Sequence, residues 1–186
     1  MKRNLKEICE VRSGYTMRQG IDQYEPGEIK VIHARHLADI NNTTLPSIDK
    51  LSSDHYITDG DILLSAKGSF AAIVFSKSIG KAIATSSIMI LRPKDKSISS
   101  EYIATYLNSS TGQSNLQQIS SGAYIKTLTK SELENLEIPI LSPHAQEVLV
   151  KLSKNITDQK NINNKKYEVH QKLLNSIINE VNKEKI

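Results

Sequence analysis

Along the first 142 residues, apolar positions come in short β-branched runs bounded by Gly, Asp, Ser and Pro, the pattern of brief strands. Lys30-Val31-Ile32, Asp61-Ile62-Leu63-Leu64-Ser65, Ala71-Ala72-Ile73-Val74-Phe75, Lys81-Ala82-Ile83-Ala84 and Ser87-Ile88-Met89-Ile90-Leu91 are such runs. Two later stretches change period. Tyr102, Ile103, Tyr106 and Leu107 predict a helix over residues 100 to 108, and Leu116 with Ile119 predicts another over residues 111 to 119. Thr129-Lys130-Ser131-Glu132 is a capping box, which predicts a third short helix through Leu136. The expected fold class is α+β, with a mixed or antiparallel sheet and short helices.

The pattern changes at Ile138-Pro139-Ile140-Leu141-Ser142-Pro143, beyond which neither Gly nor Pro occurs. Ser142 suits an N-cap and Pro143 suits the first helical position, where a missing N–H costs nothing. A helix from Pro143 to about Lys183 would be about 60 Å long at 1.5 Å per residue, too long to be stable unpacked. Leu149, Leu152, Ile156, Asn163, Tyr167, His170, Leu174, Ile178 and Val181 recur at spacings of three, four or seven, a coiled-coil seam with apolar ends and a polar centre. The expected organisation is a globular domain over residues 1 to 142 and a dimerisation or spacer helix over residues 143 to 186. Antiparallel pairing with a second copy would set each apolar end of the seam against the other, with Asn163 and His170 near the dyad.

Composition narrows the class. Of the 24 Lys and Arg, sixteen precede residue 143, as do fifteen of the 20 Asp and Glu. The net charge of +4 therefore belongs largely to the helix, and a domain gripping a polyanion must do so through a local basic patch. One cysteine, Cys9, excludes an internal disulfide or a Cys-rich zinc site. Neither a signal-type apolar segment nor a membrane-length apolar run is present, so the expectation is a cytoplasmic protein.

Catalytic motifs fail on inspection. Ile79-Gly80-Lys81-Ala82 has the Gly-Lys of a phosphate loop without the upstream Gly or the following Ser or Thr. Gly112 and Gly122 are isolated, so no dinucleotide fingerprint exists and no bound cofactor is expected. His33 and His36 lack a third ligand at metal spacing and read as polar surface, while Cys9 beside Ile8 and Val11 reads as a small core residue. A rival reading is a metal-dependent nuclease or other DNA-processing enzyme, in which Asp22 with Glu28-Ile29-Lys30, or Asp61 with Lys67, would supply carboxylates and a lysine. A third is a coiled-coil adaptor whose head binds protein.

Several segments taken in order resemble the specificity subunit of type I restriction-modification systems. They are Leu5-Lys6-Glu7-Ile8 leading to Ser13-Gly14; Asp59-Gly60-Asp61-Ile62-Leu63-Leu64-Ser65 with Gly68; Tyr102-Ile103 and Tyr106-Leu107; then Gly122, Leu128, and Leu136-Glu137-Ile138-Pro139-Ile140-Leu141-Ser142-Pro143 with Gln146. Members usually carry two target-recognition domains and two long helices, so this chain resembles half a subunit. Its own Met1 leads to the expectation of a natural half-length form that homodimerises. The resemblance implies a non-catalytic reader of double-stranded DNA that directs separate modification methyltransferase and restriction subunits to a bipartite site.

A reader of this kind must place side chains at base edges while other contacts hold the phosphates. Arg18, Arg35, Lys67, Lys81, Lys126 and Lys130 lie in or beside expected turns, and Ser69, Ser86, Ser87, Ser120, Ser121 and Tyr124 could supply hydroxyls. The sharpest local candidate is Ser120-Ser121-Gly122-Ala123-Tyr124-Ile125-Lys126-Thr127, a polar loop hinged by glycine between two helices.

Overall fold

A computed structural model describes residues 1–18, 20–21, 24–40 and 42–183. The chain order is β1 (Lys2–Asn4), α1 (Leu5–Ile8), β2 (Cys9–Ser13), β3 (Ile29–Ile32), β4 (Ser47–Ile48), β5 (Ile62–Ser65), β6 (Ala72–Val74), β7 (Ala82–Ala84), β8 (Ile88–Pro93), α2 (Ser100–Asn108), α3 (Ser110–Ile119), α4 (Lys130–Glu134), β9 (Glu137–Pro139) and α5 (Pro143–Lys183). The chain divides into two compact units, Met1–Glu147 and Val148 onward.

Three sheets build the first unit. An antiparallel four-stranded sheet has the order β2-β8-β5-β6, a three-stranded sheet has the order β4-β3-β7, and β1 pairs with β9. Within the second sheet β3 and β7 run parallel, Ile32 opposite Ala84, and β4 runs antiparallel to β3. Alternation of side chains then explains the core. Ile32, Ala82 and Ala84 share one buried cluster with Leu63, Ile88 and Ile90 of the four-stranded sheet. Ile29, Val31, Ile48 and Ile83 form a second cluster. All four residues of β5 are buried, which is why its sequence reads as a continuous apolar run, and α2 packs against β5 and β6.

Each expected strand run overlaps an observed strand, and the first two expected helices lie within a residue of α2 and α3. The third ends at Glu134 rather than Leu136. Its capping box forms as expected, with Glu132 Oε2 accepting from Thr129 N–H at 2.7 Å. Strands β1, β2, β4 and β9 were not anticipated. β1 and β9 are three residues each and join the start of the chain to the segment before α5, with Tyr102 donating its hydroxyl to Pro139 O at 2.6 Å.

The division of units falls a turn beyond residue 142. The first turn of α5 is tied into the first unit by Gln146, which is buried. Its Oε1 accepts from Ser99 N–H at 2.9 Å and its Nε2 donates to Ser97 O and Leu141 O, each at 3.0 Å. Ser142 Oγ accepts from Ala145 N–H, as its place as N-cap predicts.

Candidate nucleic-acid interface

Parallel pairing brings the C-terminal ends of β3 and β7 to one edge, and three further segments are tied to that edge by main-chain bonds. Tyr15 donates to Ala84 O at 2.7 Å and Ser86 donates to Tyr15 O at 2.9 Å. Close crossing here requires Gly14, because a Cβ would collide with the carbonyl oxygens of Ala84 and Thr85. Thr85 donates to Ile32 O and Ala66 donates to Ser87 O, both at 2.9 Å. Ala34 N–H reaches Ser87 Oγ, which also shares a hydrogen bond with Thr85 Oγ1. A hairpin over residues 121 to 127 closes through Ser121 N–H to Thr127 O at 3.0 Å and Thr127 N–H to Ser121 O at 2.8 Å. It docks on the turn after β5 through Gly68 N–H to Lys126 O and Leu128 N–H to Ala66 O.

The rim so formed gathers Arg18, Arg35, Lys67, Ser69, Ser86, Ser121, Tyr124, Lys126 and Lys130 in exposed positions on its segments. Ser87 is half-buried and spends its hydroxyl on the fold. Ser120 is only 8% exposed and donates to Gln117 O at 2.8 Å, so it caps α3 instead of facing solvent. Lys81 stands apart from the set. It immediately precedes β7, at the opposite end of the three-stranded sheet, with Nζ 3.8 Å from Glu28 Oε2.

Charge sets this edge apart. No Asp or Glu occurs in residues 13 to 21, 29 to 38, 62 to 94 or 102 to 131, the stretches that supply the rim, and Lys130 alone of its cations meets a carboxylate from beyond them, its Nζ 3.6 Å from Glu134 Oε1 one turn along α4. A nearly neutral domain would need a local patch of this kind in order to hold a polyanion. The cations were visible one by one in the sequence, whereas the absence of carboxylates from segments that only the fold brings together was not.

His33 and His36 also sit at this edge and correct the reading of them as polar surface. His36 is 5% exposed, its Nδ1 accepts from His33 N–H at 3.2 Å, and the two rings meet edge to face at 5.3 Å. Desolvation by burial lowers the pKa of each, with Arg35 adding to the effect, so both are neutral at pH 7. Together with Thr16, Met17, Ser86 and Ser87, His33 lines a cleft of about 330 Å³.

Two carboxylates of the nuclease reading, Asp61 and Glu28, are engaged elsewhere. Asp61, 1% exposed, accepts from Arg92 Nε at 2.8 Å, from Arg92 Nη2 at 2.7 Å and from Thr58 N–H at 2.8 Å. That bidentate pair raises the Arg92 pKa and braces the corner before β5, so the Asp61 carboxylate is committed to holding the fold. Glu28 is exposed beside Lys81, and Asp22 lies outside the described residues. Among the described residues no three His, Cys, Asp or Glu groups gather as metal ligands. Burial pushes the Cys9 thiol up to about 12, which makes it inert as a nucleophile.

In the second unit Leu149, Leu152, Ile156, Asn163, Tyr167, His170, Leu174 and Ile178 are all exposed on α5, while the side chain of Val181 lies outside the described residues. Ile162, Val169, Leu173 and Ile177 are exposed as well and were not placed in the seam. At 100° per residue they widen the apolar arc of the C-terminal half to roughly 180°, more than one partner helix covers. Among the described residues no helix is long and apolar enough to cross a membrane.

Comparison with solved structures shows where this arrangement recurs. The fold is similar to the HsdS subunit from Thermoanaerobacter tengcongensis (TM-score 0.61, 18% identity, 86% of this chain and 37% of that one). It is similar to a chain in a structure concerned with assembly and conformational transition of the type I R-M system (TM-score 0.63, 19% identity, 86% and 38%). It also matches the type I restriction-modification S subunit from M. genitalium (TM-score 0.56, 16% identity, 87% and 39%). The chain thus spans about two fifths of the length of these subunits. No curated protein sequence matches it significantly. The model for the type I restriction modification DNA specificity domain matches residues 1–171, and with rim, fold and family in agreement, the chain belongs to that family.

Proposed function

We propose that the rim reads one half of a bipartite DNA site, and that the chain directs separate modification methyltransferase and restriction subunits to that site without doing chemistry itself. The observation that carries this reading is the convergence of Arg18, Arg35, Lys67 and Lys126 on an edge whose segments hold no carboxylate. Such an edge attracts phosphates along its length while its hydroxyls and hairpin reach base edges. Of the carboxylates a nuclease would use, Asp61 is bound to Arg92 and Glu28 stands beside Lys81, which favours the reading without chemistry.

The second unit supplies the spacing. Two copies of α5 pair antiparallel, Leu149, Leu152 and Ile156 of one against Leu174, Ile178 and Val181 of the other, with Asn163 and His170 setting register. The additional strip formed by Ile162, Val169, Leu173 and Ile177 is left for helices of the methyltransferase subunit. Two-fold closure makes the half-sites inverted copies.

The test combines light scattering of the full chain and of a chain ending at Glu147 with selection of bound duplexes from a random pool. A dimer that loses its partner on truncation, and a selected site with inverted symmetry, are expected. Affinity should fall steeply with salt, by several phosphate contacts' worth. A salt-insensitive complex, or a site without inverted symmetry, sinks the proposal.

A further inference from the structure

The hairpin over residues 121 to 127 ends in two adjacent side chains that the domain leaves in water. Tyr124 is fully exposed at 102% and Ile125 is 62% exposed. Among the described residues of the first unit, the only other large apolar side chain so exposed is that of Met1. The tip is nonetheless held in place. Its stem is closed by two main-chain bonds and pinned to the turn after β5 by two more, and Gly122 has φ +109° with no room for a Cβ, which would collide with Ile125 O. Tyr124 and Ile125 are therefore presented on a fixed ribbon.

The chemistry around the tip selects what it touches. Lys126 follows Ile125, Lys67 pairs with Thr127 across the docked turn, and no carboxylate occurs from Tyr102 to Ser131. That favours a polyanion over an apolar groove on a protein. On DNA, Tyr124 could serve a phosphate through its hydroxyl, but Ile125 has no polar side-chain atom. The apolar group that a base-pair edge offers is the C5-methyl of thymine, which lies in the major groove, and that groove is wide enough to admit a two-stranded ribbon.

Resting on the reading of the rim as a DNA-binding edge, we infer that Tyr124 and Ile125 read thymine C5-methyl groups, so each half-site carries an A·T pair beneath the hairpin with its methyl facing the tip. The residues act by burying methyl surface, which makes them specificity determinants that contribute little to the salt dependence.

Deoxyuridine removes the methyl group and nothing else. The full chain is used to select a duplex, and every thymine in the selected half-site is then replaced in turn by deoxyuridine. One or two positions should each weaken binding about fourfold, as expected for one buried methyl group. A chain carrying Tyr124→Ala and Ile125→Ala, both at solvent-exposed positions, should melt like wild type and bind more weakly. It should be indifferent to deoxyuridine at those same positions, with its salt slope unchanged. Indifference of the wild-type chain to every replacement overturns the inference while leaving DNA recognition standing, as does a double variant that keeps the full deoxyuridine penalty. A rise in 2-aminopurine fluorescence on binding, with no deoxyuridine effect, would instead identify the tip as an unstacking wedge and overturn methyl reading. A chain that selects no duplex overturns the rim reading and this inference together.

Discussion

The two ends of the three-stranded sheet are built from the same strands and both carry exposed cations, yet they differ in what those charges face. At the N-terminal end, Lys81 Nζ sits 3.8 Å from Glu28 Oε2, and Asp49 donates its N–H to Glu25 O. At the C-terminal end, Arg18, Arg35, Lys67 and Lys126 stand on segments without a carboxylate. A cation next to a carboxylate offers a polyanion little, since the pair already screens itself. Cations without that company keep their field for the ligand.

The largest effect should come from reversing charge at one end and then at the other. Lys67→Glu with Lys126→Glu should weaken DNA binding on the order of 100-fold, whereas Lys81→Glu should change it by less than about twofold. Fluorescence anisotropy at fixed salt distinguishes the two, and equal losses would erase the distinction between the ends. A smaller loss, roughly tenfold, is expected for Gly122→Ala, because alanine must adopt φ +109° and its Cβ meets Ile125 O, so the hairpin loses its shape. Its melting temperature should hardly move, since the hairpin buries little.

The smallest effect concerns pH. His33 and His36 have lowered pKa values in the fold, so the unfolded chain binds protons more readily than the folded one. Their stabilising contribution is complete above the ordinary histidine value of about 6.5 and is lost as pH falls below it. Melting temperature should therefore decline on acidification from pH 7 to 5, and His36→Gln should flatten that part of the curve. An unchanged slope in the variant would show that these imidazoles are not the cause.

How much of this was legible in the sequence depends on the range of each signal. Ser142, Pro143 and the Thr129 capping box act over three or four residues, and the structure realises them. Runs such as Ile62-Leu63-Leu64 declared themselves because burial on both faces removes polar positions. β1 and β9 were invisible: Lys2-Arg3-Asn4 has no strand pattern of its own and is a strand only because Glu137-Ile138-Pro139 lies beside it. Asp61 could be read as a metal ligand only because Arg92, distant in sequence, supplies its partner in space. His36 resembled surface for a similar reason, since the fold covers it with residues from other segments. The rim's cations were individually visible in turns, but their company had to await the pairing of β3 with β7.

The bonds that hold the hairpin run from main chain to main chain: Ser121 N–H to Thr127 O, Gly68 N–H to Lys126 O, Leu128 N–H to Ala66 O. None depends on the side chains of Ala123, Tyr124 or Ile125. Apart from Gly122, which the turn demands, the tip can be rewritten without disturbing its mounting. On the proposed reading of the tip, exchange of those three residues is a route by which such a domain acquires a new target one substitution at a time while keeping its stability, and the same three positions are where a designed library would begin.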